Sequence, residues 1–122
     1  MGDDELLTML AAEAARRTPT IIDGIESLAS SDESDPTRVE KLRVEAHGLK
    51  GAALVVGQDR LADLAKAIEQ FLAGCVDTGR IQPGAAAALI AGTSAFNEGA
   101  QAAAEGVAEP SSVGESLAAL DS

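Results

Sequence analysis

Apolar residues recur at spacings of three and four through almost the whole chain, and no segment alternates apolar with polar over a useful length. The first spacing is that of one helix face and the second would be that of a strand, so an all-α chain is expected. From about Asp3 to Arg17, residues Leu6, Leu7, Leu10, Ala11 and Ala14 share a face. Thr18 and Pro19 then allow two readings. They form the cap and first turn of a second helix carrying Ile21, Ile22, Ile25 and Leu28, or they lie inside one long helix kinked at Pro19. The spacing leaves both open.

Ser30 to Asp35 is polar and reads as a loop, with Asp35 capping a helix that Pro36 opens. Val39, Leu42, Ala46, Leu49, Ala53 and Val56 are the buried stripe of that helix, and Gly57 is its stop. Asp59 is expected to cap the next helix, whose stripe is Leu61, Leu64, Ala65, Ile68, Leu72 and Cys75. The connection is very short, so these two helices should be antiparallel neighbours. Asp77-Thr78-Gly79 is a turn, and Pro83 opens an Ala-rich helix to about Ala104. The expected architecture is an antiparallel four-helix bundle with an additional N-terminal helix or half-helix, filling residues 1–106. Residues 107–122 read as an acidic flexible tail or linker with at most a turn of helix.

Composition narrows the functions. The 122 residues suit one domain, and 46% hydrophobic content is enough to bury a core. There are 25 alanines and only two aromatics, Phe71 and Phe96, which favours close-packed helices. With 9 basic and 20 acidic residues the formal charge is −11. Such a chain has neither the cations nor the stacking rings of a nucleic-acid binder. No stretch is long and apolar enough to insert in a membrane, and the acidic start, Asp3-Asp4-Glu5, is unlike a secretory signal. Cys75 is the only cysteine and His47 the only histidine, so no zinc site of ordinary composition is expected and a cytoplasmic location is.

His47 lies mid-helix at the edge of the buried stripe. Arg43, Lys50, Gly51 and Leu54 stack on its face at helical spacing. Gly48 and Gly51 each cost a helix interior about 0.5–1 kcal/mol relative to alanine. Gly51, one turn after His47, leaves the imidazole open to an approaching surface. Leu54, two turns on, puts an apolar group on a face that should be wet, as a docking patch would.

The segment Ala46-His47-Gly48-Leu49-Lys50-Gly51-Ala52-Ala53, followed by Gly57, resembles the signature of histidine-containing phosphotransfer (HPt) domains: His-x-x-Lys-Gly-small-small, then a closing glycine. The next helix, Leu61-Ala62-Asp63-Leu64-Ala65-Lys66-Ala67-Ile68-Glu69, has the leucine-rich stripe and acidic residue that follow it in those modules. The resemblance extends over residues 5–105, and is to stand-alone relay proteins or to the N-terminal module of chemotaxis-type histidine kinases.

The resemblance implies a phosphorelay intermediate. His47 would accept a phosphoryl group and pass it to or from a receiver-domain aspartate. Imidazole suits this work, since its unperturbed pKa of about 6.5 leaves a nucleophilic neutral ring at pH 7. Lys50 would offset phosphoryl charge and Glu69 would orient the ring. Arg43, Gly48, Gly51 and Leu54 would belong to the binding face. The implied partners are a response-regulator receiver domain and a histidine kinase, met by a monomer. Mg²⁺ would be carried by the receiver, leaving this chain without a cofactor or metal. No Gly-rich phosphate loop of a kinase is present. The alternative is a docking module that binds a receiver or kinase without being phosphorylated.

Overall fold

A computed structural model describes residues 2–121. They form five helices and, among the described residues, no strand: α1 Asp3–Ala29, α2 Pro36–Val55, α3 Asp59–Cys75, α4 Pro83–Glu105 and α5 Ser111–Leu120. In the bundle of α1 to α4, α1 and α3 each pack on both α2 and α4. α1 and α3 therefore occupy opposite corners, with α2 between them. The directions are antiparallel. Gln101 of α4 donates to the Ala11 carbonyl of α1, and on α2 Arg17 meets Glu45 while Gly24 meets Leu42. The core is aliphatic, built around Leu10, Ile21, Ile25, Leu49, Leu64, Ile68, Leu72 and Leu89, with Phe96 its one fully buried aromatic.

α1 is a single helix running through Pro19. A proline inside a helix costs about 3 kcal/mol. Ile21, Ile25 and Leu28 beyond it are all buried, and each such side chain is worth about 1.5–3 kcal/mol on burial. Burial outweighs the proline, so the helix continues. Thr18 is no N-cap; its hydroxyl donates to the Ala14 carbonyl one turn back.

Asp35 caps α2 by accepting from the Arg38 N–H. Gly57 ends it. Its φ of +73° lets its own N–H reach the Leu54 carbonyl and the Gln58 N–H reach the Ala53 carbonyl. This is a Schellman closure, and it turns the chain within three residues into α3. The expected Asp59 cap is not formed, because Gln58 takes the cap position and Asp59 is already helical.

The fifth helix corrects the expected layout. The extra element is not N-terminal, and residues 111–120 are not a flexible linker. α5 packs on α3 and α4. Val113 is fully buried, and Arg60 holds Glu109 at 3.0 Å just before the helix. α4 makes room with glycine: a Cβ at Gly99 would lie 3.1 Å from Val113, and one at Gly92 would lie 3.0 Å from Leu120. Both pairs are seven residues apart, so two antiparallel helices meet in register. Val113→Ala is expected to cost about 2 kcal/mol by cavity formation. Hydrogen exchange should then show amides 111–120 opening before those of α1–α4.

Candidate functional site

α2 buries Val39, Leu42, Ala46, Leu49 and Ala53, yet its outer face is apolar too. Val44, Leu54 and Val55 are more than half exposed there. His47 emerges between these residues with 61% of its side chain exposed. α2 also concentrates positive charge, with Arg38, Lys41, Arg43 and Lys50 against only Glu40 and Glu45, in a chain whose net charge is −11. An exposed histidine with apolar neighbours and local cations is thus set into an acidic molecule.

Glu69 of α3 is the hub of the site. Its carboxylate is buried and receives three groups from one face of α2. His47 Nδ1 lies 2.8 Å from Oε2, Lys50 Nζ 2.8 Å from Oε1, and Arg43 Nη1 3.2 Å from Oε2. Residues 43, 47 and 50 share that face because they are one and two helical turns apart. The Gly57 turn brings Glu69 opposite them. Burial pushes the Glu69 carboxyl upward, but the hydrogen bonds and charges of Lys50 and His47 outweigh it and hold it below the ordinary carboxylate range. It is therefore ionised at neutral pH and can only accept. That assigns the proton to Nδ1 of the neutral ring, and the lone pair to Nε2, which points away from α3.

The other expected residues fall in different places. Gly51 faces open space, since a Cβ there would meet nothing within 4 Å. Leu54 is exposed. Lys50 is turned to Glu69 rather than free, with a quarter of its side chain exposed. Arg43 is shared between Glu69 and Glu40. Gly48 faces the other way, toward α1. A Cβ on it would lie 2.6 Å from the guanidinium of Arg17. Arg17 had no signal in the sequence, being an ordinary charged residue on another helix. Cys75 ends α3 half-buried, and burial pushes its thiol pKa up, which suits a small packing residue.

Between α1 and α2, beside Gly51, runs an apolar groove of about 170 Å³ lined by Leu6, Met9, Leu10, Ala52 and Val55 among others. Among the described residues no three His, Cys, Asp or Glu side chains are grouped to hold a metal ion. Nor is any helix of the described residues long and apolar enough to cross a membrane.

The arrangement holds one imidazole by its inner nitrogen and presents the outer nitrogen on an open, partly apolar surface. No curated protein and no solved structure matches the chain. Among models of known families, residues 5–106 match the Hpt domain.

Proposed function

The chain belongs to the Hpt domain family, a phosphorelay family whose members meet kinases and receiver domains, and from that membership we propose that His47 is its phosphoryl acceptor. Nε2 attacks the phosphorus of an aspartyl phosphate on a receiver, or of a kinase-bound phosphodonor. The P–O bond breaks and its electron pair stays with the leaving carboxylate or donor oxygen. The ring gains positive charge as the N–P bond forms, and Glu69 stabilises that charge through Nδ1–H. Transfer onward is the same step reversed, with a second aspartate as nucleophile. The chain acts as a monomer in the cytoplasm, and Mg²⁺ belongs to the partner receiver, which supplies most of the phosphoryl-transfer machinery.

One observation carries this reading: the 2.8 Å contact that commits Nδ1 of a largely exposed imidazole to a buried, ionised carboxylate, so that Nε2 is the nitrogen left to react. The partner's docking face comprises Leu54, Val55 and the Met9 side of the α1–α2 groove, an exposed apolar surface around the reactive nitrogen. Gly51 opens that surface to close approach.

The test needs no partner. Treatment with phosphoramidate, a small histidine phosphodonor, is expected to add one phosphoryl group by intact mass. The adduct should be lost in acid, persist in base and give the ³¹P signature of an Nε2-linked phosphohistidine. A folded protein that gains no adduct would sink the proposal.

A further inference from the structure

Arg17 lies on the α1 side of α2, over Gly48, the residue next to His47 in the chain. Its guanidinium occupies the space a Cβ at Gly48 would need, 2.6 Å from both Cζ and Nη1. It is held there by Glu13 at 2.9 Å through Nε and by Glu45 at 2.9 Å through Nη1, with 24% of its side chain exposed. Those bonds engage two of the three nitrogens of a group that has five N–H donors, leaving Nη2 uncommitted to either carboxylate. Glycine at position 48 is unfavourable for the helix by itself, and it leaves the space that the Arg17 guanidinium fills; a Cβ there would make that flexible group shift.

The geometry of the ring makes this position meaningful. Nδ1 is directed at α3, where Glu69 receives it, so Nε2 diverges from α3. α1 and α3 flank α2 from opposite corners. A group on Nε2 therefore stands off α3, over the exposed face of α2 that Arg17 of α1 borders at Gly48. Lys50 is not placed to meet it, because its ammonium is bonded to Glu69 on the α3 side. Arg43 is likewise turned to Glu40 and Glu69.

We propose that Arg17 binds the phosphoryl group of phosphorylated His47, its guanidinium exchanging the Glu45 carboxylate for phosphoryl oxygens. This rests on the phosphotransfer reading above. A phosphoryl group carries close to two negative charges at neutral pH against one for Glu45, and a guanidinium fork matches its oxygens. Gly48 gives the guanidinium the path across α2. The sequence signature places one cation beside the histidine, Lys50; the tertiary structure places a second on another helix.

A phosphoryl group bound by a guanidinium loses its second proton more easily, so its titration reports the contact directly. Phosphoramidate-treated wild type, Arg17→Gln, Arg17→Lys and Gly48→Ala are titrated by ³¹P NMR. Arg17→Gln is expected to raise the midpoint of the second phosphoryl ionisation by about half a pH unit to one pH unit. Arg17→Lys should restore part of the difference, since it keeps the charge and loses the fork. Gly48→Ala, whose methyl takes the guanidinium's place, should raise the midpoint while Arg17 is still present. A purely structural clasp between α1 and α2 would not move this midpoint. Equal midpoints in wild type and Arg17→Gln overturn the role of Arg17 and leave His47 as acceptor. Absence of an adduct on wild type takes down both. Should Arg17→Gln fail to fold, Gly48→Ala decides by the same midpoint.

Discussion

His47→Gln is expected to abolish phosphoryl acceptance while leaving the fold and its melting temperature close to wild type. The two halves have separate causes. The chain has one histidine, and the amide of glutamine offers no lone pair of comparable nucleophilicity. The side chain is 61% exposed, and substitutions at such positions usually fall within about 0.5 kcal/mol. Glu69 is not orphaned by the change, because Lys50 and Arg43 still donate to it. Intact mass after phosphoramidate treatment gives the first half and a thermal melt the second. A variant that still gains a phosphoryl group would move the nucleophile elsewhere and remove the central claim. The same protein separates phosphotransfer from docking alone. Leu54, Val55 and the groove beside Gly51 are untouched, so receiver binding should persist where transfer is lost.

How much of this was legible in the sequence depended on how far apart the cooperating residues lie. His47, Lys50, Gly51 and Leu54 sit within one helix, where spacing alone puts them on neighbouring positions of the surface. Glu69 is 22 residues from His47, but the intervening turn is announced by Gly57, whose positive φ closes α2. A hairpin of two helices is close to a local structure, so its register can be read. Arg17 is 28 residues from Glu45 and on a helix whose packing against α2 has no such turn signal. The loop 30–35 sets that approach, and nothing in it specifies register. Gly48 was visible as an oddity, but the side chain that fills its space was not.

One fold feature is open in the sequence and another is misread there, for related reasons. Whether α1 runs through Pro19 is an energy balance that depends on Ile21, Ile25 and Leu28 being buried, which is a tertiary fact. α5 is short and follows Glu109-Pro110-Ser111-Ser112, a composition that reads as a linker. Its signal was in the pairing of Gly92 and Gly99 with Leu120 and Val113, equal spacings on two segments that make sense only once packed. α2 shows the converse. Its stripe was found, yet the exposed Val44, Leu54 and Val55 give it a second apolar face, and a second apolar face asks for a partner outside the chain.

Glu69→Ala is expected to slow phosphoryl acceptance by at least about 10- to 100-fold, the loss seen when the carboxylate behind a metal-ligating histidine is removed. Without it the ring turns about its bonds, and the positive charge that develops as Nε2 reacts has no counter-charge. Stability should fall as well. Exposed pairs are worth about 0–1 kcal/mol, while breaking a buried pair costs about 3–5 kcal/mol. Glu69 is buried and its partners are a quarter to more than half exposed, which places the loss between these limits, at about 2 kcal/mol. Arg43 and Lys50 would then face each other with no anion between them. Glu69→Gln separates the two contributions, since its amide oxygen can still accept from Nδ1–H but carries no charge. Its phosphorylation rate should fall between those of wild type and Glu69→Ala. The stability difference between wild type and Glu69→Gln carries a pH signature. The folded carboxyl titrates below its ordinary value of 4.5, so as pH falls the unfolded chain takes up the proton first. The difference is fully present above that value and closes as pH drops through the lower, folded one. Urea melts of both proteins across the acid range read it, with phosphoramidate rates at neutral pH beside them. A Glu69→Ala protein that accepts phosphate at the wild-type rate would reduce Glu69 to a bridge between α2 and α3, with the direction of Nε2 set by something else.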